Sequence, residues 1–315
     1  MIVTLTPNPS LDRAITIPEL RRGEVIRASS SRVDPGGKGV NVARALAAQG
    51  TDTVAVLPSG GPEGHMMEEL LAEAGVRAVT TPVQGSLRMN ISVLEPDGTT
   101  TKLNEPGPTL TDETVSALLA ATLEAARGGG WVVGCGSLPP GAPIDLYATL
   151  TSAAREAGLS VAIDSSGEPM THAAAALPNL IKPNHEELEE LVGRRLDTVG
   201  DVRDAACGLV DRGIETVAVS LGGDGALLVT ADTVVHAGAA ITTPRSTVGA
   251  GDCMLAGLLN GLSRGDAPAD ALSAAVTWGA AAVTLPGSRV PGPADLAGIF
   301  AHVDPSPDLS RSLRR

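Results

Sequence analysis

The sequence predicts an α/β fold, in which a mainly parallel central sheet is flanked by helices and a small second sheet stands outside it. Three observations carry this. Short apolar runs alternate with Ala-rich helical stretches along most of the chain. Two β-like segments interrupt the alternation. With 315 residues at 43% hydrophobic content, the chain can fill one large α/β domain with a small appendage. Aromatic residues make up only 1%, so Ala, Val and Leu must form the interior.

The runs at 2–5, 53–57, 131–133, 160–164, 180–182 and 216–220 are short and continuously apolar. Such runs suit strands covered on both faces. Helical stretches lie between them at 40–49, 63–74, 113–127, 145–157, 186–192 and 202–212, and another follows at 252–262. Segments 226–229 and 234–236 flank a short turn and read as an antiparallel pair near one sheet edge. Segment 25–33 is β-like with no helix directly after it. Segments 90–95 and 99–103 surround Asp97-Gly98, a strong hairpin signal. These pieces form the second sheet. Residues 1–303 read as a single domain; the polar tail 304–315 has no apolar period and is expected to be mobile.

A net charge of −13 argues against nucleic acid or an anionic membrane surface as a partner. No apolar run reaches the roughly 18 to 20 residues of a membrane span, and no basic-then-apolar leader is seen, so a cytoplasmic location is expected. Cys135, Cys207 and Cys253 are scattered in apolar contexts and read as reduced packing residues. Cys253 stands at a helix start, where a thiol pKa can fall. The five histidines lack ligand spacing, which argues against a protein-held zinc.

Two glycine-rich segments carry the chemistry. Ser246-Thr247-Val248-Gly249-Ala250-Gly251-Asp252 joins a predicted strand to an apolar helix. A helix start offers unpaired N–H groups and the positive end of a dipole, which suits phosphate. Gly249, Ala250 and Gly251 would supply those N–H groups, and Asp252 a carboxylate beside them. An anion hole next to a carboxylate is what phosphoryl transfer to a hydroxyl needs. The dipole is expected to keep Asp252 ionised. A bland alternative makes Asp252 an N-cap and the glycines a turn. The second segment, Pro35-Gly36-Gly37-Lys38-Gly39-Val40-Asn41, is a turn entering a helix. It is neither a Walker A loop nor a Rossmann fingerprint, which argues against a nicotinamide-dependent dehydrogenase.

Together these segments resemble the paired signatures of the ribokinase-like, pfkB-type carbohydrate kinases. Intermediate landmarks agree in order: Pro9-Ser10-Leu11-Asp12, Gly136-Ser137-Leu138-Pro139-Pro140-Gly141, Asp164-Ser165-Ser166-Gly167, Lys182-Pro183-Asn184-His185-Glu186-Glu187 and Ser220-Leu221-Gly222-Gly223-Asp224-Gly225. Within the family the chain is most similar to the phosphosugar branch: 1-phosphofructokinases first, then 6-phosphofructokinases and tagatose-6-phosphate kinases.

The resemblance implies a ribokinase-like sheet with a β lid over the sugar site, contributed by about 12–34 and 84–106, and a homodimer through that lid. It implies ATP as co-substrate with Mg²⁺. Asp252 would be the general base; Asn184, Ser220, Gly222, Gly225 and Gly251 would line ATP; Glu187 would hold Mg²⁺ through water. Asp12, Gly37 and Asn41 would face the sugar, with Lys38 and Arg88 as cations for its phosphate. Each has a plainer alternative: turn glycines, Asx caps, solvated charges, and for Glu187 one more carboxylate in an acidic helix. The implied reaction converts fructose 1-phosphate to fructose 1,6-bisphosphate. Its rivals are a kinase for fructose 6-phosphate or tagatose 6-phosphate, and a non-catalytic phosphosugar sensor.

Overall fold

The structure, a computed structural model, describes residues 1–241 and 243–313. The chain opens with β1 (Ile2–Leu5), β2 (Ser10–Thr16), β3 (Ser30–Gly36) and α1 (Lys38–Ala48). Next come β4 (Thr53–Ser59), α2 (Gly61–Glu73), β5 (Arg77–Pro82), β6 (Arg88–Leu94), β7 (Thr100–Asn104) and α3 (Asp112–Ala125). Strand–helix units follow: β8 (Trp131–Cys135) with α4 (Leu146–Glu156), β9 (Ser160–Asp164) with α5 (Gly167–Ala175), and β10 (Leu180–Ile181) with α6 (His185–Val192) and α7 (Val199–Val210). The last third holds β11 (Thr216–Ser220), β12 (Ala226–Val229), β13 (Val234–Gly238), α8 (Ala250–Ser263), α9 (Pro268–Val283), α10 (Pro293–Leu296) and β14 (His302–Asp304).

The main sheet has ten strands in the order β14-β13-β12-β11-β10-β9-β8-β1-β4-β5. Strands β11 through β5 of that order run parallel, and β12, β13 and β14 complete it antiparallel. Successive strand residues point to opposite faces. Val3 and Leu5 therefore join the core cluster that takes in α3, α4 and α7, while Ile2 and Val133 join the one that takes in α1, α8 and α9. Neither face is left to water, which accounts for the continuously apolar runs.

Strand β1 lies between β4 and β8. The chain winds outward from β1 through β4 and β5, then returns to lay β8 on the other side. Such a reversal opens a crevice beyond the carboxyl ends of the strands. The loops after β1, β8, β9 and β10 and the start of α1 all reach that edge.

The second sheet has the order β3-β2-β6-β7. Its β6–β7 hairpin turns at Asp97-Gly98, with Gly98 in the left-handed region at φ 93°. Leu11 of this sheet is buried against Val40 and Leu87, which ties it to α1.

Several features differ from the sequence expectation. The β-like segment 25–33 settles as β3 at Ser30–Gly36, and β2 joins it. Helix α9 is apolar nearly all round, burying Ala271, Leu272, Ala275 and Trp278, so it shows no polar face to betray a helical period. Residues 304–313 of the tail, expected to be mobile, pair with the rest of the chain. Strand β14 pairs with β13, Gly200 N–H donates to Leu309 O at 2.8 Å, and Val199 N–H donates to Arg311 O at 3.0 Å. Leu309 and Leu313 pack on the core beneath α7, which polar neighbours conceal in the sequence.

Candidate active site

Helix α8 starts after Gly249, whose φ of 77° is open to glycine at little cost. Asp252 therefore stands inside the first turn and is not the N-cap. Cys253 N–H donates to Gly249 O at 2.9 Å, and Ala250 N–H leans back to Thr247 O at 3.4 Å. Ala250 is thus partly committed to the turn. The N–H groups of Gly251 and Asp252 lie in the turn that an α-helix leaves without carbonyl partners.

Asp252 is only 8% exposed, and its Oδ2 accepts from Asn41 Nδ2 of α1 at 2.8 Å. Burial and the nearby Asp164 carboxylate raise its pKa to about 6; Asn41, Lys38 and Lys182 work the other way. The expected dominance of the helix dipole is corrected accordingly: desolvation wins, and the group titrates within reach of neutral pH. Cys253 is corrected in the same sense. Burial, with Asp252 adjacent, pushes its thiol up rather than down.

Asp164 ends β9 and is fully buried. Its Oδ1 lies 2.8 Å from Lys38 Nζ and its Oδ2 lies 3.1 Å from Lys182 Nζ. Lys38 Nζ also reaches Glu187 Oε1 at 3.1 Å. Burial alone would raise the Asp164 pKa, but Lys182 and Lys38 reverse that and hold it down. Burial alone would lower the Lys38 pKa, but Asp164 and Glu187 more than compensate. Two carboxylates and two ammonium groups thus meet at the carboxyl edge of the sheet. Adding a Cβ at Gly251 would bring it 3.5 Å from Lys182 Nζ, so the lysine reaches the start of α8.

Lys38, expected to serve the sugar phosphate, is the first residue of α1, and its ammonium group pairs with Asp164 of β9 and Glu187 of α6. Glu187 has two duties. Its Oε2 accepts from Asn184 N–H at 2.8 Å, and Asn184 Oδ1 accepts from Glu187 N–H, forming a capping box for α6. Glu187 is thus engaged by the cap and by Lys38 rather than being one more solvated carboxylate of an acidic helix.

The glycine turn after β11 lies alongside. Asn184 bridges Ser220, and residues 222–224 make one 3₁₀ turn. A Cβ at Gly222 would meet nothing within 4 Å, so this surface is open to a flat ligand. At Gly225 a Cβ would collide with Ala237 O, so that glycine serves the sheet. Gly225 is thus explained by packing.

The opposite side of the crevice belongs to the second sheet. Asp12 Oδ1 accepts from Ser10 Oγ at 2.8 Å and Asn90 Nδ2 at 3.1 Å. Burial raises its pKa despite those bonds. A Cβ at Gly36 would collide with the Asp12 carboxylate, and one at Gly37 would come within 2.9 Å of Thr6 Cγ2, so both glycines admit neighbours that a side chain would displace. Arg88 donates to Asn8 O at 3.0 Å and to Glu105 O at 3.4 Å. It separates a groove of about 1070 Å³ beside Leu87 and Pro106 from a cavity of about 520 Å³ beside Asn8 and Ser137. The Arg88 Nε and the Asn8 and Asn90 Oδ1 atoms have no partner among the described residues.

In the sequence Asp164 and Lys182, like Ser10, are landmarks without an assigned role, and Asn8, Asn90 and Arg44 carry none either. A usable signal existed for the first two: each closes a parallel-strand run, where ligands collect in open α/β sheets. Among the described residues, no cluster of His, Cys, Asp and Glu could hold a metal alone, and no helix is long and apolar enough to cross a membrane.

A doubly wound sheet with a buried carboxylate in the first turn of a glycine-capped helix, and a separate four-stranded sheet beside it, has the layout of an α/β phosphotransferase of the ribokinase-like architecture. The chain belongs to the pfkB family of carbohydrate kinases, whose model matches residues 8–295. It is 36% identical to the 1-phosphofructokinase of Rhodobacter capsulatus over 304 residues, which cover 96% of each protein. It is equally 36% identical to the ATP-dependent 6-phosphofructokinase isozyme 2 of Escherichia coli K12, over 96% of this chain and 98% of that one. The structure of Escherichia coli phosphofructokinase-2 in complex with fructose-6-phosphate superposes with a TM-score of 0.88 at 33% identity, covering 94% of this chain and 96% of that one.

Proposed function

We propose that this kinase transfers the γ-phosphoryl group of ATP to the 6-hydroxyl of fructose 1-phosphate, giving fructose 1,6-bisphosphate and ADP. The observation that carries the reading is Asp252, buried in the first turn of α8 and held by Asn41 beside the Lys38–Asp164–Lys182 cluster. The sugar lies against Asp12, Gly37 and Asn41, with its phosphate toward Arg88. The nucleotide lies over Ser220 and Gly222 with its phosphates toward the start of α8. As the hydroxyl oxygen bonds to phosphorus and the bond to ADP breaks, the hydroxyl proton passes to Asp252 Oδ1 or Oδ2. The Gly251 and Asp252 N–H groups and the two lysines answer the charge on the moving group. In this reading Lys38 acts on the transferred phosphoryl rather than on the sugar phosphate.

Glu187 would hold Mg²⁺ only through water, which suits an ion that keeps its waters and binds mainly through nucleotide phosphates. When bound, the ion would neutralise phosphate charge. The exposed apolar residues of the cover, Val25 and Leu103, suit pairing with a second copy of the chain.

The 102–108 run resembles that of enzymes acting on the 1-phosphate and supports that substrate. The test is kcat/KM for fructose 1-phosphate, fructose 6-phosphate and tagatose 6-phosphate under saturating Mg·ATP. Fructose 1-phosphate should rank first. A higher value for either 6-phosphate would reassign the substrate, and absence of ADP release with all three would remove the kinase reading.

A further inference from the structure

Arg44 is only 8% exposed, one turn after Asn41 on the same face of α1. Its Nη1 donates to Pro35 O at 2.9 Å, Asn41 Oδ1 at 3.1 Å and Ser288 O at 3.2 Å. Burying a guanidinium on two carbonyls and an amide is costly without a compensating role. The amide contact supplies one. A guanidinium only donates, so of the two Asn41 amide atoms only the oxygen can face it. That leaves Asn41 Nδ2 to face Asp252, at 2.8 Å. The flipped amide would set donor against donor at Arg44 and oxygen against carboxylate at Asp252. We propose that Arg44 is a positioning residue that locks the Asn41 amide and, through it, aims and sustains the Asp252 carboxylate as the proton acceptor.

This rests on the reading of Asp252 as general base. The other charged groups around the pair are Asp164, Lys38 and Lys182 near Asp252, and Asp34, Asp12 and Arg32 near Arg44, with the neutral Cys253 thiol beside them. All of them stay in place in the variants below.

The test is the pH profile of single-turnover phosphoryl transfer. With Arg44→Met the amide is free to turn, Asp252 loses a donor, and the acid limb should move up by about one pH unit. Asn41→Leu should move it similarly. The double variant should move it no further than Asn41→Leu alone, because Arg44 then has nothing to orient. Arg44→Lys, still a pure donor, should bring the limb most of the way back. If Arg44→Met does not fold, Arg44→Gln reads the same shift, since its amide can donate to the same carbonyls without dictating the Asn41 orientation. An unmoved limb in the folded Arg44 variant, or a double-variant shift equal to the two single shifts added, overturns the proposal. Asp252→Asn separates this failure from that of the parent reading: a wild-type rate there removes the base itself, whatever Arg44 does.

Discussion

At the scale of single residues, two cations have been sorted by their surroundings. Lys38 sits between Asp164 and Glu187, whereas Arg88 sits between two cavities at the rim of the second sheet. Their substitutions should therefore fail differently. In the proposed reading, Lys38→Met removes a charge facing the transferred phosphoryl, and it lets the Asp252 pKa climb further. It should lower kcat on the order of 10²- to 10³-fold, with little change in KM for the sugar phosphate. Arg88→Ala should do the reverse, raising that KM about 10- to 100-fold through a lost charge-assisted contact. Steady-state kinetics of both variants separates the cases. A Lys38 variant defective only in sugar-phosphate KM would restore the role that its place in the sequence suggested.

At the scale of elements, the tail is the informative piece. Strand β14 extends the antiparallel edge, and the segment beyond it returns across the start of α7, where Thr198 bridges Ser312. Arg311 Nη2 reaches Asp224 O at 3.4 Å, in the glycine turn beside the proposed nucleotide surface. Deleting residues 305–315 removes Leu309 and Leu313 from the core surface and takes away the carbonyl partners of the Val199 and Gly200 N–H groups. The melting temperature should fall by several degrees, on the scale of about 2 °C per kcal/mol lost in a chain of this size. An unchanged melting temperature would return the tail to the unanchored segment expected from its composition. Helix α8 illustrates the complementary point. Its start accepts the left-handed Gly249 because glycine has no Cβ, and beginning the helix there puts Asp252 inside the first turn rather than at the cap.

At the scale of the whole molecule, the doubly wound sheet explains why distant segments form one site, and also how much of that site the sequence disclosed. The strand runs 2–5, 160–164 and 216–220 coincide with β1, β9 and β11, because strands covered on both faces leave an unbroken apolar signature. The Asp97-Gly98 hairpin was legible for a local reason, its turn chemistry. Glycine-rich starts of α1 and α8 were legible too, since a close approach of ligand to backbone needs residues without side chains. The lysine–carboxylate cluster was not, because Lys38, Asp164, Lys182 and Glu187 meet only through crossovers between β8, β9 and β10. Nor was the Asp252 pKa, which depends on depth rather than on sequence neighbours. Its elevation has a consequence for stability. Between its ordinary value of 3.8 and about 6 the folded chain holds more protons at this site than the unfolded chain. Stability contributed by the site is thus lost as pH rises through that window and stays low above it. Asp252→Asn should accordingly raise the melting temperature by a few degrees at pH 8 and by less at pH 5. Equal shifts at both pH values would mean that burial does not govern this carboxylate. The same variant decides the central claim, that Asp252 receives the hydroxyl proton. Single-turnover transfer from Mg·ATP to fructose 1-phosphate at pH 8 should slow on the order of 10²- to 10⁴-fold in Asp252→Asn, with ATP affinity little changed. A folded variant that transfers the phosphoryl group within about threefold of the wild-type rate, well short of a general-base effect, would contradict it.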